Sequence, residues 1–158
     1  MRSKVFAISV MMLIACQPGA DTFSAQDEKA VRALADSAIR HQLAGDWAAW
    51  AALYSEDGVL QPPNAPAVKG RTALLAWART LPPVEKAAFS NVQVWGDGNL
   101  SYGTSGFTFT LRGLPPDTGK QLWVSRRTPS GQWEVVAVSF NSDLAMPGQP
   151  GRRETRPK

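Results

Sequence analysis

The sequence predicts an α+β fold with an antiparallel sheet. In the first half of the chain apolar residues recur at helical spacing, whereas from Val92 onward they alternate with a period of two. Short segments with Gly, Pro and Asn separate the alternating runs, as hairpin loops do. Helices followed by consecutive hairpins are typical of α+β domains. A length of 158 residues fits one such domain.

The first helix is predicted to begin after Ser24, because Ser24 and Asp27 resemble a capping box. Gly45 can end this helix in a left-handed conformation. Between them, apolar residues at helical spacing form one stripe of the helix. The stripe consists of Val31, Leu34, Ala35, Ala38 and Ile39.

Two more helices are predicted before the main sheet. Asp46 can cap the second helix, and the polar residues 55–58 break it. Residues 59–60 and 67–68 flank a Pro/Asn loop and suit a short hairpin. Gly70 opens the third helix, which Pro82-Pro83 ends. The apolar residues of the two helices are Trp47, Trp50, Leu53 and Tyr54, then Leu74, Trp77, Ala78 and Leu81.

Four strands then follow from the period-two pattern. They cover residues 92–94, 105–111, 121–127 and 133–141. The Gly-containing segments 96–99, 113–119 and 129–131 are predicted to be the loops that join them.

The net positive charge of the chain comes from its two ends. The formal charge is +4, but two basic residues stand in the first four positions and four more in the last seven. The remaining chain is close to neutral, so no nucleic-acid surface is predicted. The sequence also has neither a dinucleotide-binding glycine motif nor a phosphate-binding loop.

Residues 1–15 have the layout of an export signal, with a basic start and an apolar run too short to span a bilayer. The run ends in LIAC (residues 13–16), which resembles a bacterial lipobox, where cleavage precedes a lipidated cysteine. Cys16 is the only cysteine, so a disulfide within the chain is excluded. We expect a lipid-anchored protein on the periplasmic side. If the envelope is Gram-negative, Gln17 after the cysteine implies sorting to the outer membrane. A buried cysteine in an N-terminal helix is the alternative.

The predicted domain organisation follows from these features. Residues 16–24 suit a tether, and residues 25–143 form the folded domain. Residues 144–158 are expected to be a disordered basic tail, because the chain from Gly148 onward has no apolar residue. The tail is expected to be solvated, and contact with anionic lipid or another polyanion is the alternative.

Four motifs in order carry a family resemblance. They are LAGD (43–46), LYSEDG (53–58), Gly70 before the third helix, and GQW (131–133) leading to FNSD (140–143). Their order resembles the nuclear transport factor 2-like superfamily, especially its SnoaL-like and ketosteroid isomerase-like branches, whose members are mostly of undefined function. The resemblance implies a cone in which three helices close the concave face of a strongly curved sheet around an apolar pocket.

Side-chain periodicity predicts which residues line such a cone. Gln42 extends the apolar stripe of the first helix, and Trp77 lies on the stripe of the third. We expect Gln42 and Ser105 to orient a small, mainly apolar ligand and the aromatic residues to contact it. The predicted lining is Ala38, Gln42, Trp77, Ser105, Phe107, Trp123, Val138 and Phe140.

The resemblance also bears on catalysis. In steroid isomerases of this superfamily a tyrosine and two carboxyl groups carry the reaction, and these positions correspond to Ala38, Pro62 and Trp123. None of the three can take up a proton, so steroid isomerisation is not expected. The predicted lining contains no carboxylate or imidazole.

Four other residues are weak candidates for catalysis. His41, the only histidine, lies at the flank of the helical stripe, and a half-exposed helix residue is the simpler interpretation. Asp57 suits a turn, Asp143 lies just beyond the last strand, and Arg127 could reach the pocket mouth. A single His lacks the partners that a metal site needs, and no cofactor is predicted.

We therefore expect a lipid-anchored envelope protein that binds a small apolar molecule. The first alternative is a hydrolase, lyase or isomerase that uses His41, Asp57 or Asp143 with Arg127. The second is an interaction module that forms a homodimer through the outer sheet face, on which we place Thr104, Thr108, Thr110 and Trp133.

Overall fold

The computed structural model describes residues 22–144, which form three helices and six strands. The predicted signal peptide, Cys16 and nearly all of the predicted tail lie outside these residues. No helix within 22–144 is long and apolar enough to span a membrane. In chain order the elements are α1 (Ala25–Ala44), α2 (Trp47–Ala52), β1 (Tyr54–Gln61), β2 (Val68–Lys69), α3 (Arg71–Ala78), β3 (Val84–Asp97), β4 (Leu100–Leu111), β5 (Asp117–Arg127) and β6 (Trp133–Ser142).

The six strands form one sheet in the order β2-β1-β6-β5-β4-β3. All neighbours are antiparallel except β1 and β6, which run parallel. The α+β class is thus confirmed, and one pair departs from the predicted antiparallel arrangement. The departure arises because β6, the last strand, returns beside the first strand in the same direction after the intervening elements. No spacing in either strand reveals such a distant pairing.

The helix boundaries follow the predicted signals. The Ser24 hydroxyl accepts a hydrogen bond from the Asp27 backbone N–H while the Asp27 carboxylate accepts one from the Ser24 N–H, so the capping box is confirmed. Gly45 ends α1 with φ of 67°, a conformation that glycine adopts at little cost. The Asp46 carboxylate accepts from the Ala49 N–H at 3.0 Å and caps α2.

The first strand begins earlier than predicted. Tyr54 belongs to β1 rather than to the second helix, and the polar residues 55–58 lie within the strand. Tyr54 pairs with Val135 and Val59 with Ala137, so residues 54–59 of β1 span the same stretch of the ladder as residues 135–137 of β6. This bulge breaks the period-two alternation, which explains why the segment reads as a helix end in the sequence.

The third strand is much longer than the three residues that the sequence predicts. It runs for 14 residues at one edge of the sheet, with register shifts between Val84 and Lys86 and between Ser90 and Gln93. Asn91, between the latter two, has a positive φ of 52°. β4 and β5 also begin before their predicted starts, at Leu100 and Asp117. Bulges and glycines interrupt the alternation in these places and bend the sheet.

The helices cover one face of the sheet and form two apolar clusters with it. In one cluster α2 and α3 pack on β1, with Trp50, Tyr54 and Leu74 at its centre. In the other, Val31 of α1 packs on Val94, Trp123 and Trp133. The Trp133 side chain therefore lies on the helix side, and its predicted place on the outer face was wrong. A bulge between β5 and β6 shifts the register near this end of β6.

Candidate functional site

A cavity of about 150 Å³ lies between the helices and the sheet. Helix α1 contributes one stripe of its surface, at spacings of three or four residues. The stripe includes Ala38 and Gln42, both on the predicted inner stripe. The α1 lining residues are Leu34, Ala35, Ala38 and Gln42.

The other two helices and β1 form the second wall. Trp47 and Trp50 meet edge to face, with ring centroids 6.1 Å apart at 88°. Tyr54 follows at 5.0 Å from Trp50. From this wall Trp77 was predicted to line the pocket and does so, whereas the others were assigned to the core. The wall consists of Trp47, Trp50, Leu53, Tyr54, Leu60, Trp77 and Leu81.

The inner face of the sheet closes the cavity. Phe107, Trp123 and Phe140 line it as predicted, and Phe107 and Phe140 meet edge to face at 5.9 Å. Val138 also lines it, whereas Val135 rather than Val136 is the next lining residue along β6. The bulge that matches Val124 with Ala137 and Ser125 with Val135 causes this one-residue change.

Two buried polar atoms in the lining residues have no hydrogen-bond partner among residues 22–144. They are Oε1 of Gln42, which accepts, and Nε1 of Trp123, which donates. A buried polar group without a partner costs about 1–3 kcal/mol. Both atoms have almost no accessible surface, although their side chains line the cavity.

Ser105 does not line this cavity, so its predicted role in orienting the ligand has to be corrected. It is buried on the inner side of β4, and its hydroxyl accepts a hydrogen bond from Nε2 of Gln121 at 3.0 Å. Gln121 is itself a lining residue. Alternation gives the side of the strand correctly, but it cannot show that the longer neighbouring side chain covers a serine.

The sequence analysis missed Asp117, a carboxylate in the lining. It is the first residue of β5 and pairs with Phe109 across the β4–β5 ladder. The Ser142 hydroxyl donates to its Oδ1 at 2.6 Å. The expectation that the lining contains no carboxylate was therefore wrong. Extending the alternation of β5 backward from Trp123 would have placed Asp117 on the inner face, but the segment was assigned to a loop.

Tyr54 is the other titratable group of the lining. It is 4% exposed, and burial raises the pKa of its phenol well above the ordinary value. The phenol is therefore neutral at physiological pH.

All four weak catalytic candidates lie outside the lining of the cavity, and they are not brought together. His41 is half-buried near the end of α1. Asp57 is exposed, with its carboxylate 3.7 Å from Arg126. Asp143 forms an ion pair with Lys120 beyond the end of β6.

Arg127, the fourth, pairs with Asp27 at the start of α1 and does not reach the cavity. Its guanidinium carbon lies 5.1 Å from the ring centroid of Trp133, whose indole N–H donates to the Asp27 carboxylate at 3.1 Å. Hydrogen bonds from the Ser24 hydroxyl and backbone N–H, then that from Trp133, with the charge of Arg127 as a further cause, hold the pKa of Asp27 far below its ordinary value. This cluster joins α1 to the sheet.

The three residues at the positions of the steroid-isomerase catalytic groups cannot take up a proton. Ala38 and Trp123 line the cavity, and Pro62 lies just after β1, outside the lining. Within residues 22–144 no group of three or more His, Cys, Asp or Glu side chains is placed to hold a metal ion. The cavity therefore offers aromatic surface and one carboxylate.

The outer face of the sheet carries an exposed apolar patch. Trp95 and Tyr102 stack with centroids 5.0 Å apart at 19°, and both are more than 40% exposed. Leu100 and Leu122 lie near them on β4 and β5. The predicted Thr104 pairs with Leu122, and Thr108 and Thr110 follow at alternate positions of β4. The outer-face patch is Trp95, Leu100, Tyr102, Thr104 and Leu122.

A comparison with protein families finds one match, to the SnoaL-like domain, over residues 28–138. This segment includes all three helices and most of the sheet. A comparison with curated proteins found no significant match.

Solved structures with the same fold include three bacterial proteins. A protein of unknown function with a cystatin-like fold from Nostoc punctiforme is 19% identical, covers 78% of this chain and 96% of its own, and has a TM-score of 0.69. A nuclear transport factor 2-like protein of unknown function from Pseudomonas putida is 19% identical, with 85% and 99% coverage and a TM-score of 0.70. A ketosteroid isomerase-like protein from Erwinia carotovora is 20% identical, with 77% and 100% coverage and a TM-score of 0.65. At these identities the likeness establishes the fold.

Proposed function

Because this chain belongs to the SnoaL-like domain family, we propose that its cavity binds a small, mainly apolar molecule. The observation that carries this proposal is the cavity of about 150 Å³ with its aromatic walls. An engineered apolar cavity of about this volume in another protein binds benzene. The ligand body is therefore of the size of one ring with short substituents.

The energetic argument supports a ligand rather than a packing defect. Transfer of apolar surface from water contributes about 25 cal/mol per Å², and the lining of this cavity is mainly aromatic and aliphatic. If this part of the core had only a structural role, a larger side chain at a position such as Ala38 would fill the space and stabilise the fold.

Binding can be tested by filling the cavity from α1. We expect single-ring compounds such as toluene and benzene to change the fluorescence of the purified protein, because four tryptophans line the cavity. Ala38→Leu should abolish this change without loss of stability. Ala33→Leu, on the exposed face of the same helix, should retain it. Unchanged binding by Ala38→Leu, or no response of the wild type to any such compound, would refute the proposal.

We further propose that Cys16 carries a lipid that anchors the protein at the envelope. The lipobox resemblance of residues 13–16 supports this proposal. Cys16→Ser should release the protein from the membrane fraction and remove the lipid mass. In a Gram-negative host, Gln17→Asp should keep the lipid but retain the protein at the inner membrane. Membrane attachment of Cys16→Ser would contradict lipidation.

A homodimer through the outer-face patch is a second proposal, which the stacked Trp95 and Tyr102 favour. Exposed contiguous apolar patches often mark interaction sites. Leu122→Lys should shift a dimer to monomer in sedimentation velocity. Leu114→Lys adds the same charge at a 53% exposed leucine beyond the end of β4 and should leave the dimer intact. A monomeric wild type at high concentration would refute the dimer.

A further inference from the structure

The side chains that line the cavity carry negative charge and no positive charge. Asp117 is its only residue with a charged side chain, and no Lys or Arg belongs to the lining. None of the ion pairs within residues 22–144 includes Asp117. An uncompensated carboxylate beside an apolar interior repels anions and attracts cations, and the low local polarity strengthens both effects.

Asp117 is held in a defined position. Its Oδ1 accepts the hydrogen bond from Ser142, and its backbone pairs with Phe109 in the β4–β5 ladder. The partner is a neutral hydroxyl, so the contact orients the carboxylate without neutralising it. The Asp117 side chain is only half-buried, so part of it is accessible to solvent. The carboxylate is thus available to a ligand that enters the cavity.

The aromatic walls favour the same sign of charge. Nine of the twenty lining residues are aromatic, and ring faces attract cations through their quadrupole. Edge-to-face pairs such as Trp47–Trp50 and Phe107–Phe140 orient neighbouring rings in different directions.

We propose that the ligand is an apolar organic amine, bound as its ammonium ion with the charge near Asp117 and the ring body among the aromatic side chains. This inference rests on the proposed ligand-binding function and specifies its chemical class. The ammonium N–H groups donate to the Asp117 carboxylate.

Three compounds of nearly equal size test the preference on the wild-type protein. 2-Phenylethylamine is cationic at neutral pH, 2-phenylethanol is neutral, and phenylacetate is anionic. By titration calorimetry we expect the amine to bind about tenfold more tightly than the alcohol, and phenylacetate to bind most weakly. Equal affinity for the amine and the alcohol would overturn the amine proposal and leave apolar binding intact. If none of the three and no simple aromatic hydrocarbon binds, the proposed function fails with it.

Asp117→Asn separates the charge from the shape of the site. The amide can still accept from Ser142, so we expect the variant to fold and to bind 2-phenylethanol as the wild type does. Its affinity for 2-phenylethylamine should fall at least about threefold, toward that of the alcohol, because only the attraction of the rings for the cation remains. Asp143→Asn removes an equal charge that pairs with Lys120, outside the cavity, and should keep the full preference. An undiminished preference for the amine in Asp117→Asn would overturn the assignment.

Discussion

Gly103 shows how one residue shapes the cavity wall. It is buried on β4 opposite Trp123, and the indole of Trp123 occupies the space that a Cβ atom at this position would need. The absence of a side chain allows the indole to lie against the strand. The orientation of Trp123, and with it the cavity wall, depends on this glycine.

Gly103→Ala is expected to lower the free energy of unfolding by about 1–3 kcal/mol, because the new methyl group displaces the indole. Gly106→Ala on the same strand is the control, since its Cβ would meet only the movable Ser90 hydroxyl within 3 Å. Urea unfolding of both variants measures the difference. Equal stability of the two variants would contradict the packing described for Trp123.

Asp27 is a residue whose charge contributes to stability. Its folded-state pKa lies far below the ordinary value of 3.8, mainly because the Ser24 hydroxyl and N–H donate to the carboxylate. A group with a depressed folded pKa contributes stability above its unfolded pKa, and this contribution is lost as the pH falls toward the folded pKa. The cluster should therefore weaken in acid.

We expect the free energy of unfolding of the wild type to fall as the pH decreases below about 4, relative to that of Asp27→Asn. Urea unfolding between about pH 6 and pH 3 measures both curves. Asp36→Asn, which removes an exposed carboxylate of the same helix, should keep the wild-type dependence. Parallel curves for the wild type and Asp27→Asn would exclude this role of the carboxylate.

The lining residues of the cavity were predictable where the position of a residue in its helix or strand alone determines the side to which its side chain points. Periodicity placed Gln42, Trp77, Phe107, Trp123 and Phe140 in the lining, because alternation and helical spacing are local properties. It failed where a second side chain intervenes. Gln121 covers Ser105, and Asp27 holds Arg127, although about a hundred residues separate the latter pair in the chain.

At the scale of elements, α1 is the clearest case of a boundary that the sequence encodes. The hydroxyl of Ser24 and the carboxylate of Asp27 satisfy backbone N–H groups at the start of the helix. Such groups have no partner within the helix, so the cap both sets the first turn and stabilises it. Gly45 then ends the helix without strain, and the same few residues start α2.

Ser24→Ala is expected to lower the free energy of unfolding by about 1 kcal/mol, because the N-cap acceptor is lost. Ser37→Ala is a matched control on the same helix. The Ser37 hydroxyl donates to the Ala33 carbonyl within the helix, and alanine is a better helix former, so stability should stay equal or rise slightly. Chemical unfolding distinguishes the two. A neutral Ser24→Ala would show that the cap does not stabilise α1.

Strand boundaries were less predictable than helix boundaries. In β1 and β3 the bulges near Ser55 and Asn91 interrupt the period-two pattern, so only part of each strand was recognised. A bulge depends on the register with the partner strand, which no single strand reveals. Edge strand β3 also exposes most of its polar residues, and its pattern therefore lacks a continuous apolar face.

At the scale of the whole molecule, the ends of the chain and the folded domain differ in net charge. The positive charge lies in the first four and last seven residues, whereas residues 22–144 are nearly balanced. Exposed ion pairs such as Arg126–Glu134 and Lys120–Asp143 are common on the outer surface. Pairs of this kind contribute little to stability, so the apolar clusters hold the fold together.

A chain that stops after Leu144 should unfold at the same urea concentration as the full-length protein. The last strand ends at Ser142, and the Ser142 hydroxyl accepts from the Leu144 N–H, so the contacts of the sheet are retained. Circular dichroism during urea unfolding measures this. A lower midpoint for the shortened chain would show that residues 145–158 contribute to the folded domain.

The sequence by itself determined the fold class, the helix caps and the side of each strand on which Phe107, Trp123 and Phe140 lie. Caps and periodicity act over a few residues, so they can be recognised without a structure. Only the tertiary structure decided that β1 and β6 pair in parallel, that Arg127 meets Asp27 away from the cavity, and that Asp117 brings a carboxylate into it. These outcomes depend on register and on contacts between distant segments, which close the cavity only when the whole sheet has formed.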